Sequence, residues 1–97
     1  MGLFEERLER FISCSKELLT NEGIAAIMHY YCHDEYEMAY EGLLIELTIV
    51  GHYPSQFVFI DWKELGEHYG LDKETVFDEL KWEKFMQWGK SFSARNF

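Results

Sequence analysis

The chain has no lysine or arginine between Lys16 and Lys63, although eight carboxylates lie in the same stretch. Residues 1–50 contain three Lys/Arg against ten Asp/Glu, so most of the net charge of −9 belongs to the N-terminal half. Phosphate groups and anionic lipids are bound mainly by Lys and Arg. This scarcity of positive charge therefore argues against nucleic acid and membrane surfaces as direct ligands, and a field of one sign attracts basic partners instead.

Long apolar runs are also absent. No run approaches the roughly 20 residues that a membrane-spanning helix needs. The first seven residues, Met-Gly-Leu-Phe-Glu-Glu-Arg, do not have the layout of a signal peptide. We therefore expect a cytoplasmic protein. Its two cysteines, Cys14 and Cys32, are expected to be free thiols, because disulfides are rare in that compartment.

Proline occurs once, as Pro54 within the clear loop at 51–56. Apolar residues make up 47% of the chain, which is ample for the core of one domain over 1–97. Apolar positions recur at spacings of three and four, which predicts an all-α compact bundle of four or five helices. The predicted helices lie at about 3–19, 21–32, 34–50, 61–69 and 72–88, with an extended connector at 51–60 and a C-terminal tail at 89–97.

Residues 61–80 have the spacing of a DNA-binding helix-turn-helix motif, with a turn at Gly70. The second helix of that motif would present carboxylates around Lys73 to the DNA phosphates, which is repulsive. A transcription-associated domain is therefore the alternative hypothesis. A third is self-association into a homodimer through the aromatic C-terminal half.

His29, Cys32 and His33 follow one another at i, i+3 and i+4 of one predicted helix. A structural zinc site normally has four ligands, and the remaining histidines, His52 and His68, are isolated in the sequence. We therefore predict neither a metal site nor a cofactor. The serines lie in no nucleophile motif and no glycine-rich phosphate loop occurs, so the sequence favours a binding protein over an enzyme.

The densest acidic segment interleaves carboxylates with tyrosines. A solvated helix usually mixes the signs of its charges to form i,i+4 ion pairs, which this segment does not do. Tyrosine is a frequent anchor in protein interfaces, and carboxylates pair with the Lys and Arg of a partner. The predicted partner-binding residues are Asp34, Glu35, Tyr36, Glu37, Tyr40 and Glu41. The alternative is a solvated helix face with its tyrosines half in the core.

The segment Asp34-Glu-Tyr-Glu-Met-Ala-Tyr-Glu-Gly-Leu-Leu-Ile-Glu-Leu47 resembles one that recurs in small bacterial immunity proteins of the MafI type and their relatives in contact-dependent inhibition. Asp61-Trp62, followed by a segment with Trp82, Phe85 and Trp88, is similar to the C-terminal half of those proteins. The resemblance extends loosely over residues 20–88.

This resemblance implies a compact helical bundle that neutralises a basic protein toxin, such as a nuclease, in the cytoplasm of the producing cell. It also implies the mechanism, in which carboxylates occupy the phosphate-binding groove of the toxin. The matching positions are those of the acidic segment, residues 34–37 together with Tyr40 and Glu41.

Overall fold

Five α-helices form the fold in a computed structural model that describes residues 2–95. No strand occurs in that part of the chain, and the Cα radius of gyration of 12.3 Å is close to the roughly 12.5 Å expected for a single domain of this length. The predicted all-α fold is therefore confirmed. The helices are α1 Leu3–Ser15, α2 Asn21–Cys32, α3 Tyr36–Val50, α4 Phe59–His68 and α5 Lys81–Arg95, and a 3₁₀ turn over Lys16–Leu18 follows α1.

Helix α3 lies at the centre and packs against α1, α2 and α5. Its residues Leu43, Leu44 and Leu47 are fully buried, as the spacing of three and four along α3 predicts. Burying each of these side chains stabilises the fold by roughly 1.5–3 kcal/mol. Val50, at the end of the same stripe, is 37% exposed, because the chain turns away there.

Local signals set the ends of α2 and α3. The Thr20 hydroxyl accepts a hydrogen bond from the Gly23 N–H at 3.0 Å, so Thr20 caps α2. Gly51 ends α3 with φ at +72°, a conformation that glycine adopts without a steric penalty. Asp34 precedes α3 with φ at +59°, and the helix begins at Tyr36, two residues after its predicted start.

Trp62 joins three helices in the core. Its ring stacks on Phe11 of α1 with centroids 4.1 Å apart, and its carbonyl accepts a 2.6 Å hydrogen bond from the Tyr40 hydroxyl of α3. Helices α4 and α5 approach closely at two glycines. A Cβ at Gly66 would overlap Trp82, and a Cβ on Gly89 would overlap the Phe59 ring. These two glycines therefore let aromatic rings of the facing helix pack directly against the backbone.

The irregular segment 51–58 packs aromatic side chains onto the helices, as the predicted connector does. Tyr53 stacks on Trp88 at 4.6 Å and donates a 2.6 Å hydrogen bond to its carbonyl. Phe57 is buried between Trp62 and Trp88. Helix α4 begins at Phe59, which shortens the predicted connector by two residues and places Asp61 inside the first turn of α4.

The C-terminal part of the chain differs most from its prediction. Residues 72–80 are irregular rather than helical, and α5 occupies Lys81–Arg95 instead of 72–88. The predicted tail at 89–97 is thus wrong for residues 89–95, and its last two residues lie outside the described part. Phe92 explains the extension, because its ring packs 4.7 Å from Tyr53 and 5.0 Å from Phe57.

Glu41 of α3 explains why residues 72–80 are not helical. Its carboxylate is fully buried and accepts backbone hydrogen bonds from Val76 at 2.6 Å, Phe77 at 2.8 Å and Asp78 at 3.0 Å. These three N–H groups therefore do not bond to carbonyls of a preceding helical turn. The predicted position of Glu41 on the exposed side of α3 is wrong, because segment 72–80 covers that side.

We expect Glu41→Gln to lower the free energy of unfolding by about 3 kcal/mol. The amide keeps the shape of the side chain but replaces one acceptor oxygen by a donor that faces backbone N–H groups, and hydrogen bonds to charged groups are among the stronger ones. Urea denaturation followed by circular dichroism measures the change. Glu37→Gln, on the exposed face of the same helix, is the matched control and should change stability by less than about 0.5 kcal/mol. Equal effects of the two substitutions would contradict this role of Glu41.

Candidate protein-binding surface

The structure divides the six predicted contact residues into two groups. Residues 34–37 lie at the surface, with Asp34 and Glu37 exposed and the two residues between them half-buried. Tyr40 and Glu41 are both 0% exposed. Their predicted place on a contact surface is corrected, because each uses its polar atoms on backbone groups inside the protein. The role of residues 34–37 stays a prediction.

Asp34 and Tyr36 are held together at the junction of α2 and α3. The Tyr36 hydroxyl donates to Asp34 Oδ1 at 2.9 Å, and this hydrogen bond raises the pKa of the Tyr36 phenol. The Glu35 N–H donates to the Tyr30 carbonyl at 2.9 Å, which closes the turn between the helices. The left-handed backbone of Asp34 is tolerated because aspartate is among the residues most often found in that conformation.

Two further tyrosines adjoin Tyr36. The Tyr31 ring, from the last turn of α2, meets the Tyr36 ring edge-on at a centroid distance of 5.4 Å. The Tyr69 ring, directly after α4, lies 6.4 Å from the Tyr36 ring. The ends of α2 and α4 and the start of α3 thus supply three neighbouring, half-buried phenols.

Carboxylates of α1 complete this surface. The Tyr31 hydroxyl donates to Glu9 Oε2 at 3.3 Å and lies 3.5 Å from the Glu5 carbonyl oxygen. Desolvation, followed by the charge of Glu9, raises the pKa of Tyr31. For Tyr69, burial and then the negative charge of Glu5 raise the pKa far above its ordinary value.

We call this region the acidic tyrosine surface. It consists of Tyr31, Tyr36 and Tyr69 with the carboxylates Glu5, Glu9, Asp34 and Glu37. Four of these seven residues, Glu5, Glu9, Tyr31 and Tyr69, were missed from the sequence. Glu5, Glu9 and Tyr69 are distant from the segment 34–41 along the chain, and only the packing of α1 and α4 brings them to it, whereas Tyr31 lies three residues before that segment on α2.

A shallow groove of about 590 Å³ continues from the acidic tyrosine surface along the start of segment 72–80. Glu37 and Tyr69 line the groove together with Lys73 and Glu74, so the groove carries charges of both signs. A partner that binds the tyrosines has room to extend into this groove.

The two alternative sites of the sequence analysis do not have the expected geometry. The candidate recognition helix of the helix-turn-helix motif falls in the irregular segment 72–80. At the end of α2, His33 Nδ1 is engaged 2.7 Å from the His29 carbonyl oxygen. Within residues 2–95, no group of three or more His, Cys, Asp or Glu side chains is arranged to hold a metal ion.

No protein-family model, curated protein or solved structure matches this chain. Among the described helices, none has both the length and the apolar character that crossing a bilayer requires.

Tyr40, beneath the acidic tyrosine surface, should make stability fall at alkaline pH. Burial raises the pKa of its phenol well above the ordinary value of 10.0. The unfolded chain releases this proton at the ordinary value while the folded protein retains it. The stabilisation is therefore complete below that pH and is lost as the pH rises toward the folded pKa, by about 1.4 kcal/mol per pH unit.

Urea unfolding at a series of alkaline pH values measures this loss. We expect Tyr40→Phe to be less stable at neutral pH by about 1 kcal/mol, because the hydrogen bond to the Trp62 carbonyl is lost. The same variant should lose stability less steeply with rising pH, because one titrating group has been removed. Equal slopes for the variant and the wild type would show that Tyr40 does not retain its proton.

Proposed function

We propose that the protein binds a basic protein partner through the acidic tyrosine surface, and that it acts as an immunity protein that neutralises a basic toxin. One observation supports the proposal most: in a group of three neighbouring tyrosines, two donate hydrogen bonds to surface carboxylates, one from α1 and one from the junction of α2 and α3. The resemblance of residues 34–47 to MafI-type immunity proteins points in the same direction.

The chemistry of the surface suits a partner rich in Lys and Arg. Each phenol has an apolar ring that a partner can cover, and the hydroxyls of Tyr31 and Tyr36 hydrogen-bond to Glu9 and Asp34, so rings and carboxylates are presented together. Arginine also stacks on aromatic rings, so one side chain can contact a tyrosine face and a neighbouring carboxylate together. The excess of negative charge accelerates encounter with a basic surface, and this effect weakens with salt.

Occlusion is the mechanism that follows from these contacts. A nuclease binds the phosphates of its substrate with Lys and Arg. Carboxylates such as Glu9, Glu37 and Asp34 would pair with those side chains and deny them to phosphate. The immunity protein would thus keep the toxin from its nucleic acid by binding alone, without catalysing a reaction.

The proposal predicts that Glu9→Lys/Glu37→Lys abolishes partner capture. Both side chains are exposed, so the substitutions reverse charge on the surface without opening the core. Immobilised wild type should retain one basic protein from an extract of the source cells, and added salt should weaken this capture. With the purified partner, the variant should bind at least about a hundredfold more weakly, which corresponds to about 3 kcal/mol for two reversed pairs.

The matched control is Glu17→Lys/Glu83→Lys, which changes the net charge equally at two exposed positions outside the acidic tyrosine surface. It should retain binding to within a few-fold. A toxicity assay separates immunity from binding alone. The purified partner should be toxic to cells, and wild-type protein should relieve this toxicity whereas the Glu9/Glu37 variant should not. Capture that survives the Glu9/Glu37 reversal would move the contact elsewhere, and a harmless partner would refute the immunity function.

Other predictions of the sequence analysis are less favoured or untested. The helix-turn-helix hypothesis has less support, because the segment that would enter a DNA groove is irregular. Self-association through the C-terminal half stays a prediction, which measurement of the molecular mass at several concentrations would test.

A further inference from the structure

A second polar cavity lies between the last turn of α3 and one face of α5. It is open to solvent and has a volume of about 410 Å³. Most of the residues that line it have a side chain that can donate a hydrogen bond. These are Thr48, Lys81, Lys84, Gln87, Trp88 and Ser91, and Ile49 is the apolar member of the lining. In a chain with a net charge of −9, this concentration of donors around two lysines stands out.

Lys81 is the buried cation of this cavity. The residue is only 4% exposed, and its Nζ donates one hydrogen bond, at 2.9 Å, to the Thr48 hydroxyl. That hydroxyl is itself bonded to carbonyl oxygens of α3, the nearer at 2.9 Å. Among the described side chains, no carboxylate lies within 4.0 Å of the Lys81 nitrogen.

Buried ammonium groups are normally paired, because removing a charge from water is costly unless another charge or several hydrogen bonds compensate. Lysine has three N–H donors, and among the described residues only one of those on Lys81 has a protein acceptor. The environment also lowers the pKa of Lys81, mainly through desolvation. A bound anion would supply the missing acceptor.

Trp88 also lines the cavity. Its indole N–H is buried and has no hydrogen-bond partner in the described part of the chain. Buried indole N–H groups usually find an acceptor, and an indole can only donate. Lys84 also lines the cavity, and its ammonium group forms an ion pair with Asp78 Oδ2 at 2.9 Å.

We propose that this cavity is an oxyanion-binding site, in which a phosphate or carboxylate group accepts hydrogen bonds from Lys81. The inference is independent of the proposed immunity function. Thr48 and Glu37 are eleven residues apart on α3, which corresponds to about 16 Å along the axis. The site therefore lies toward the opposite end of α3 from the acidic tyrosine surface.

Titration of ¹⁵N-labelled protein with inorganic phosphate, and separately with acetate, tests this site. Potassium chloride at matched ionic strength is the reference. We expect the indole N–H resonance of Trp88 to shift and to saturate with at least one of the two anions. Saturation by phosphate alone would identify a phosphate site, and saturation by acetate would identify a carboxylate site.

Lys81→Met is the decisive variant, because it keeps the length of the side chain and removes the ammonium group. Its affinity for the anion should fall at least about tenfold, in line with the loss of one charge-assisted hydrogen bond. Lys90→Met, at an exposed position of the same helix, should bind as wild type does. If Lys81→Met does not fold, as judged by circular dichroism, Lys81→Gln takes its place.

Two results would overturn the proposal. One is a wild-type protein whose Trp88 indole resonance does not respond saturably to either anion. The other is equal affinity in the wild type and the Lys81 variant, which would show that the anion binds through other groups.

Discussion

The buried carboxylate of Glu41 determines how the second half of the chain is arranged. By accepting the N–H groups of Val76, Phe77 and Asp78, it fixes an irregular segment against the central helix and delays the start of α5 to Lys81. An unpaired carboxylate at this depth would be strongly unfavourable, and three backbone donors offset that cost. These donors also lose their hydration, so carboxylate and segment depend on each other.

The start of α5 then sets the positions of its aromatic residues. With Lys81 in its first turn, α5 brings Trp82 against the backbone of Gly66, and Gly89 against the Phe59 ring. If the last helix ended at residue 88, as predicted, Phe92 would lie outside it and would not be held beside Phe57. Glu41 therefore influences contacts far from its own hydrogen bonds.

The local pattern of the sequence predicts α1, α2 and α3 with ends that differ from the structure by at most four residues, and it fails for the start of α5. Thr20 begins α2 and Gly51 ends α3, and each does so by a hydrogen bond to a residue at most four positions away. Their effect can therefore be predicted from the sequence. The start of α5 depends instead on Glu41, whose partners follow 35 to 37 residues later. The same limitation hid Glu5, Glu9 and Tyr69 from the predicted site, because tertiary packing alone brings them to Tyr36.

The two charged sites also agree with the dipole of the helix that joins them. Glu37 lies in the first turn of α3, where the helix dipole favours negative charge, and the ammonium group of Lys81 lies beside Thr48 in the last turn, where it favours positive charge. The helix dipole therefore favours both charges, whether or not a ligand is bound. A substitution at either end of α3 can change both stability and ligand binding, so loss of binding is evidence for a contact only where the fold is shown to be retained.

For Lys81, removing a desolvated charge with few partners can even stabilise the protein. Weaker anion binding combined with unchanged or higher stability would then separate a functional cation from a structural one.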